Sequence, residues 1–269
     1  MVKFISLVSS SSGNSTLFSD GETNILIDCG LSGSALCEKL EGTGISPSEL
    51  SGIFVTHEHS DHTKGVGVIA RRYNIPVYAT EKTFCSMNIG KLSPEQVRII
   101  TPYSTFTIGE TDILPFSIPH DAADPVGYSF FSGSGKYTLA TDIGFMPDRL
   151  FESISGSNSI ILESNHDIEM LRYGSYPFRL KQRILSDYGH MSNVLTAETS
   201  VRLADTGTEK IMLAHLSHEN NTPEIAEITT RAALDREGFG DVFLSVASRN
   251  ETTFFPDEVL NEYRYNCSW

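Results

Sequence analysis

Short apolar runs rich in β-branched residues recur along this chain, separated by polar stretches that carry glycine and proline. Residues 3–8 read as a first strand, and residues 16–19 and 24–28 as two more, flanking the hairpin signal Asp20-Gly21. Residues 34–40 look helical. Residues 52–56 (Gly-Ile-Phe-Val-Thr) form a run of the buried-strand type, followed by a helix at 64–73 and a strand at 76–79. Between 97 and 131 several short strands are broken by Pro102, Gly109 and Pro119. The second half repeats the texture, with strands at 137–140, 159–162 and 210–214, a helix over 193–204 and a last helix over 223–236. Thr222 as cap and Pro223 at the first helical position mark where that last helix starts. Strands in every section, with helices between them, predict an α/β fold of two packed sheets with helices outside. The expected organisation is one domain over 1–255 and a polar, aromatic tail over 256–269.

Composition narrows the partners. The net charge of −14 argues against loose, sequence-independent coating of nucleic acid, although bound divalent ions would be the largest local charges at a site. The apolar opening is too short for a signal peptide, and no stretch approaches the roughly 18 apolar residues of a membrane helix. Cys29, Cys37, Cys85 and Cys267 form no C-x-x-C pair and no disulfide framework. A cytoplasmic protein with no membrane partner is expected; oligomeric state is not legible.

The chemistry concentrates after the 52–56 run, in His57-Glu58-His59-Ser60-Asp61-His62. His57 and His59, two apart, point the same way on extended backbone. Asp61 and His62 fall where the chain turns towards the next helix and can aim at a neighbouring position. Imidazole with carboxylate suits zinc, manganese or iron. A solvated polar turn is the bland alternative for a single histidine and a poor one for this cluster. Taken alone, His120 could be an ordinary loop histidine and Asp142 an ordinary turn residue.

His57-Glu58-His59-Ser60-Asp61-His62 resembles the H-x-H-x-D-H signature of the metallo-β-lactamase superfamily. The resemblance extends in order through Asp28, His120, Asp142 and His215 and spans residues 3 to 250 or so. It implies a four-layered αβ/βα sandwich (metallo-β-lactamase fold) with the site at one edge of the two sheets. It further implies that two divalent metal ions, zinc or manganese, are bound. His57, His59 and His120 would hold the first, and Asp61, His62 and His215 the second. Asp142 would lie between them, and Asp28 would orient a ligand or loop. His59 stands where the flavodiiron branch typically has glutamate, which favours hydrolysis. No cysteine lies in a matching motif, as true zinc β-lactamases typically require.

Further segments are similar to the YycJ/WalJ branch of this superfamily, which is akin to tRNase Z and PhnP. They are the run from Ser9 to Ser15, Glu163-Ser164-Asn165-His166-Asp167, Gly189-His190-Met191-Ser192-Asn193 and the stretch from His215 to Asn221. That resemblance implies a metal-dependent phosphodiesterase acting on DNA, a 5′-to-3′ exonuclease, with Asp61 and His190 as catalytic residues. Ser12, Asn14, Glu163, His166, Asn193 and His218 are the candidate substrate contacts. The serine run reads either as a phosphate cradle or as a plain flexible turn. His190 reads either as a group at a helix N-terminus, where the dipole favours anions, or as an exposed histidine at a helix start. Arg172, Arg179, Lys181 and Arg183, among Tyr173, Tyr176 and Phe178, form either a substrate-guiding segment or a solvated loop. A small-molecule metallohydrolase (cyclic phosphodiester, thioester or lactone) and a non-catalytic metal-binding module are the competing readings. The complete ligand set counts against the latter.

Overall fold

The computed structural model describes residues 2–133 and 135–256, so residues 257–269 of the expected tail lie outside the described residues. The chain folds as two sheets. The first runs, in spatial and chain order, β1 (Lys3–Ser10), β2 (Gly13–Ser19), β3 (Asn24–Ile27), β4 (Gly52–Phe54), β5 (Val77–Ala79) and β6 (Val97–Ile99). The second contains β7 (Phe106–Ile108), β8 (Thr111–Ser117), β9 (Val126–Ser132), β10 (Gly135–Ala140), β11 (Ser159–Glu163), β12 (Lys210–Ala214) and β13 (Phe243–Val246), again in sequential order. Each sheet opens as an antiparallel meander and ends in parallel strands. The texture repeated between the halves of the sequence is therefore a repeated topology.

The apolar runs divide their residues between two faces with period two. Ile25, Ile27, Phe54, Ile161, Met212 and Ala214 point into the space between the sheets, with Phe18, Tyr128 and Phe130. Leu26, Ile53 and Val55 point outward against Leu36 and Leu40 of α1 (Gly33–Glu41) and Ile69 and Ala70 of α3 (Val66–Tyr73). Ile160, Leu162, Ile211 and Leu213 point the other way, against α5 (Asp148–Ile154), α8 (Asn193–Asp205) and α9 (Pro223–Arg236). Strands buried on both faces read as unbroken apolar runs. The result is helix, sheet, sheet, helix: the expected four-layered sandwich.

Two local departures matter for the site. The serine run is not a flexible loop. Strand β1 continues through Ser9 and Ser10 and pairs with β2 up to Ser10 opposite Gly13, leaving a two-residue turn at Ser11 and Ser12. The second departure is a set of short helices. Between β4 and α3 lies α2 (Ser60–Thr63), and α4 (Glu81–Ser86) follows β5. Between β11 and α8 lie α6 (Ile168–Tyr173) and α7 (Phe178–Ile184). Pro115 sits inside β8, but β7 pairs only as far as Ile113. No ladder partner on that side needs the amide that proline lacks.

Candidate metal centre

The site assembles where the C-terminal ends of strands from both sheets meet. Asp28 follows β3, His57 to His62 follow β4, His120 follows β8, Asp142 follows β10, Glu163 ends β11 and His215 follows β12. Asp28, Asp142 and His215 all have left-handed backbone, with φ of 58°, 63° and 58°. Such backbone costs about 1–3 kcal/mol per residue and persists where the surroundings over-determine it. Here it turns each side chain back across the strand ends. The serine hairpin and the His57–His62 segment are brought together at Gly30, where a Cβ would lie 1.7 Å from the Asp61 carbonyl oxygen.

Among the described residues the donor atoms converge in four overlapping groups, each with ligand atoms within 4.8 Å of one another: His57, His59 and His120; Asp61, His62 and His215; His57, His62 and Asp142; and Asp142, Glu163, His190 and His215. The first two are the expected ligand sets. Nε2 of His57 is 3.0 Å from Nδ1 of His59. Nε2 of His62 lies 3.4 Å from Asp61 Oδ2. Asp142 reaches both of these sets: Oδ1 is 3.7 Å from His120 Nε2 and Oδ2 is 3.6 Å from His62 Nε2.

The opposite ring nitrogens are committed elsewhere. His62 Nδ1 donates to Asp28 Oδ2 at 2.7 Å. His57 Nδ1 donates to Thr56 Oγ1 at 3.0 Å, and that hydroxyl donates on to Asp28 Oδ2 at 2.7 Å. His120 Nδ1 donates to the Gly189 carbonyl at 3.2 Å, and His215 Nδ1 to Glu163 Oε1 at 2.8 Å. Fixing one nitrogen as donor leaves the other as a lone-pair ligand. Asp28 therefore holds His62 directly and His57 through Thr56, which the sequence alone does not mark.

These residues fit divalent ions. Asp142 Oδ2 and His215 Nε2 are buried and have no hydrogen-bond partner, a costly state unless a cation satisfies them. Burial, reinforced by the neighbouring histidines, holds His57 well below the usual histidine range. Burial likewise lowers His120. Both are thus neutral ligands near neutral pH. Burial pushes Asp61 up, but His62 and His215 outweigh it and keep it an anion. Burial also opposes the charged form of Asp142, and again His215, His62 and His120 prevail. His215 is the converse case: burial lowers it, yet Asp142 and Glu163 raise it to about 9.

A cleft of about 220 Å³ opens onto this centre. Ser11, Asp61, Asn165, His190 and Ser217 line it, and Tyr176, Leu180, Arg183 and Ile184 of the α6–α7 segment form a wall. The expected catalytic residues, Asp61 and His190, both face it. The substrate contacts expected from sequence mostly do not. Ser11, not Ser12, lines the cleft, and Ser12 gives its amide to Ser10 Oγ. Asn14 is buried, with its amide group against Ser10 O and His62 Nε2. Glu163 is fully buried: Oε1 accepts from both His190 and His215, and Oε2 accepts from the Ile143 and Met191 amides. Asn193 is spent on Ser164 and Asn221. His166 is 1% exposed and His218 is exposed away from the cleft lining. His190 is not on the first turn of a helix: α8 starts at Asn193 with Ser192 as its cap. Its position comes instead from Glu163, 2.9 Å from Nδ1, so that Nε2 is left to the cleft.

A four-layered sandwich with seven histidine and carboxylate donors at its strand ends defines a protein built to hold metal ions beside a hydrolytic cleft. The chain belongs to the metallo-β-lactamase superfamily, whose family model matches residues 10–215. It is 42% identical over 239 residues to the exodeoxyribonuclease YycJ of Bacillus anthracis, covering 88% of this chain and 90% of that protein. It is 43% identical over 231 residues to the exodeoxyribonuclease WalJ of Streptococcus pneumoniae serotype 2 (84% and 86%). Among solved structures, the metallo-β-lactamase fold protein YhfI of Bacillus subtilis superposes with a TM-score of 0.70 at 15% identity, covering 95% of this chain and all (100%) of that one.

Proposed function

We propose that this chain is a metal-dependent phosphodiesterase that degrades DNA from a strand end. The observation that carries this reading is the His190–Glu163 pair beside the ligand set. Glu163 is buried and held below the usual carboxylate range: burial raises it, but His190 and His215 prevail. It holds His190 through Nδ1 so that Nε2 faces the cleft, where the imidazolium form of the ring can give up a proton. A phosphodiester expels an alkoxide that needs a proton, whereas a thioester expels a thiolate that does not. A positioned acid of this kind contributes roughly 10²–10⁴ in rate. His57, His59 and His120 would hold one ion and Asp61, His62 and His215 a second, with Asp142 shared. Divalent ions bound there supply Lewis-acid activation of a water and offset charge on the phosphate oxygens. Asp61 reaches the cleft, where its carboxylate orients that water for attack.

The imidazole-rich donor set suits zinc or manganese. The two relatives named exodeoxyribonuclease support DNA as substrate, and the 5′-to-3′ course is the one that the resemblance to their branch implies. Cys29, Cys37 and Cys85 are free thiols, which fits action in the cytoplasm. No helix among the described residues is long and apolar enough to cross a membrane. The small volume of the cleft and the net charge of −14 favour the second reading, a small-molecule diester or lactone hydrolase.

The test is a panel of 5′- and 3′-labelled DNA and RNA strands with zinc, manganese or magnesium. The expected result is metal-dependent release of mononucleotide label from the 5′ end of DNA, abolished by Asp142→Ala. Intact DNA and RNA alongside rapid thioester or β-lactam hydrolysis would overturn the reading.

A further inference from the structure

We propose that the surface carried by α6, α7 and the turn leading to His190 is a stacking platform for the unpaired bases of a single DNA strand whose end enters the cleft. This rests on the phosphodiesterase reading above and names the form of its substrate. Among the described residues, four of the five large exposed aromatics fall on neighbouring segments. Tyr173, Phe178 and Tyr188 are 79%, 73% and 60% exposed, and Phe145 is 40% exposed; among the described residues the remaining large exposed aromatic is Phe131. Scattered apolar residues on a surface need no explanation, but a concentration beside a functional cleft does.

The chain segments that carry the four rings meet around one place. Tyr176, Leu180, Arg183 and Ile184, from the segment that carries Tyr173 and Phe178, form a wall of the cleft. Tyr188 is tied to the metal centre's rim, because its carbonyl accepts from the amide of Asp121, the residue after His120. Phe145 lies on the loop packed against it: a Cβ on Gly144 would sit 2.1 Å from the Asp187 carbonyl oxygen.

Charge complements the rings. From residue 170 to residue 186 the chain carries Arg172, Arg179, Lys181 and Arg183 and no acidic residue, in a protein of net charge −14, with Arg172 paired to Glu169 just before it at 2.7 Å. Lys181 donates to the Arg172 and Gly174 carbonyls, which hold its ammonium in place without neutralising it. Arg183 is anchored on Asp121 at the cleft wall. Cations interleaved with exposed aromatic faces match a nucleic-acid strand, phosphates on the former and bases on the latter.

The same features select an unpaired strand. Rings stack only on bases whose faces are open, and in a double helix each inner base is covered by its neighbours. The metal ligands lie at the floor of a cleft of about 220 Å³, and His57, His62 and Asp142 are all buried. Ligands so placed can be reached only by a chain end narrow enough to enter the cleft.

The experiment is fluorescence anisotropy on metal-loaded protein. The probes are a fluorescein-labelled single strand with phosphorothioate linkages that resist cleavage, and a dumbbell duplex closed at both ends. The single strand should bind more tightly than the dumbbell. Tyr173→Leu and Phe178→Leu should each weaken single-strand binding roughly 5- to 150-fold, the worth of one stacked base. Phe178→Trp should retain it. Unchanged affinity in both leucine variants, or a dumbbell bound as tightly as the single strand, overturns the platform. Turnover of bis(p-nitrophenyl) phosphate by the wild-type protein reports separately on the phosphodiesterase reading, so either idea can fail without the other.

Discussion

At the scale of single residues, the site depends on Glu163 as much as on any ligand. Its Oε1 must accept from His190 and His215, and its Oε2 from the Ile143 and Met191 amides. Every partner is a donor, and only a carboxylate can satisfy donors on both oxygens. In Glu163→Gln the amide nitrogen must face one of these pairs. If it faces the histidines, each is driven to the other tautomer, and His215 then carries its proton on the nitrogen that should bind metal. The expected outcome is a 10- to 100-fold loss of metal affinity, the usual effect of removing a partner that orients a ligand, together with a loss of rate. His190→Ala should differ: both ions stay and rate falls roughly 10²–10⁴, with less damage on a p-nitrophenyl diester whose leaving group needs no proton. Elemental analysis beside turnover separates the two variants. Full metal content in Glu163→Gln, or a lost ion in His190→Ala, would reverse the roles assigned here.

At the scale of elements, the sequence announces whatever is periodic or capped and is silent about the rest. The last helix begins at Pro223 and ends at Arg236 as read, because a threonine cap and an N1 proline mark its start. The strand at Lys210–Ala214 is likewise an unbroken apolar run. The ligand cluster after β4 was legible because histidines that close together have few other uses. Short helices such as α5 and α6 bury little and show no sustained period; α6 keeps only Leu171 buried. The serine hairpin stays open between a phosphate cradle and a flexible turn in the sequence because its buried hydroxyls are satisfied by long-range partners: Ser15 Oγ donates to the Asp28 carbonyl and Ser9 Oγ accepts from the His215 amide. Such partners cannot be read from a local window. His166 shows the same blindness. It sits at the junction of β11, α6 and α8, where it bridges to Ser192 and its carbonyl accepts from the Asn193 amide. Neither ring nitrogen has a partner. Burial pushes its pKa down to about 4 despite the pull of Glu163. A folded value below the unfolded one of about 6.5 gives stability that is present above pH 6.5 and lost as pH falls through 4. His166→Leu should therefore lose less stability than wild type between pH 6.5 and 4, by up to about 3 kcal/mol for that shift. Parallel denaturation profiles over that range would show that His166 is not the titrating group.

At the scale of the whole molecule, the metal centre joins the two sheets, so its protonation is a property of the fold. Asp28 and His57 to His62 come from the first sheet, and His120, Asp142, Glu163 and His215 from the second. Without metal, protons take the ions' place as the positive charge between them. Burial opposes that, but Asp142 and Glu163 hold His215 up to about 9. Asp28 and Asp142 likewise raise His62 well above its usual range against the cost of burial. A folded pKa above the unfolded one gives stability that is complete below about pH 6.5 and lost as pH rises towards the folded value. Chelator-treated protein should thus lose stability from pH 6.5 to 8, at roughly 1.4 kcal/mol per pH unit for each such histidine. Within that window the other shifted groups are quiet. His57, His120 and His166 are lowered and act on the acid side, and Lys136, which burial lowers to about 8, acts above it. Metal-loaded protein should behave in the opposite way, because each ion needs the deprotonated ligand and binds more tightly as pH rises. The gap in thermal midpoint between metal-saturated and chelated samples should therefore widen steadily from pH 6.5 to 8. A gap that narrows, or a chelated protein whose midpoint rises over this range, would mean that His215 and His62 are not the cations holding the two sheets' carboxylates together.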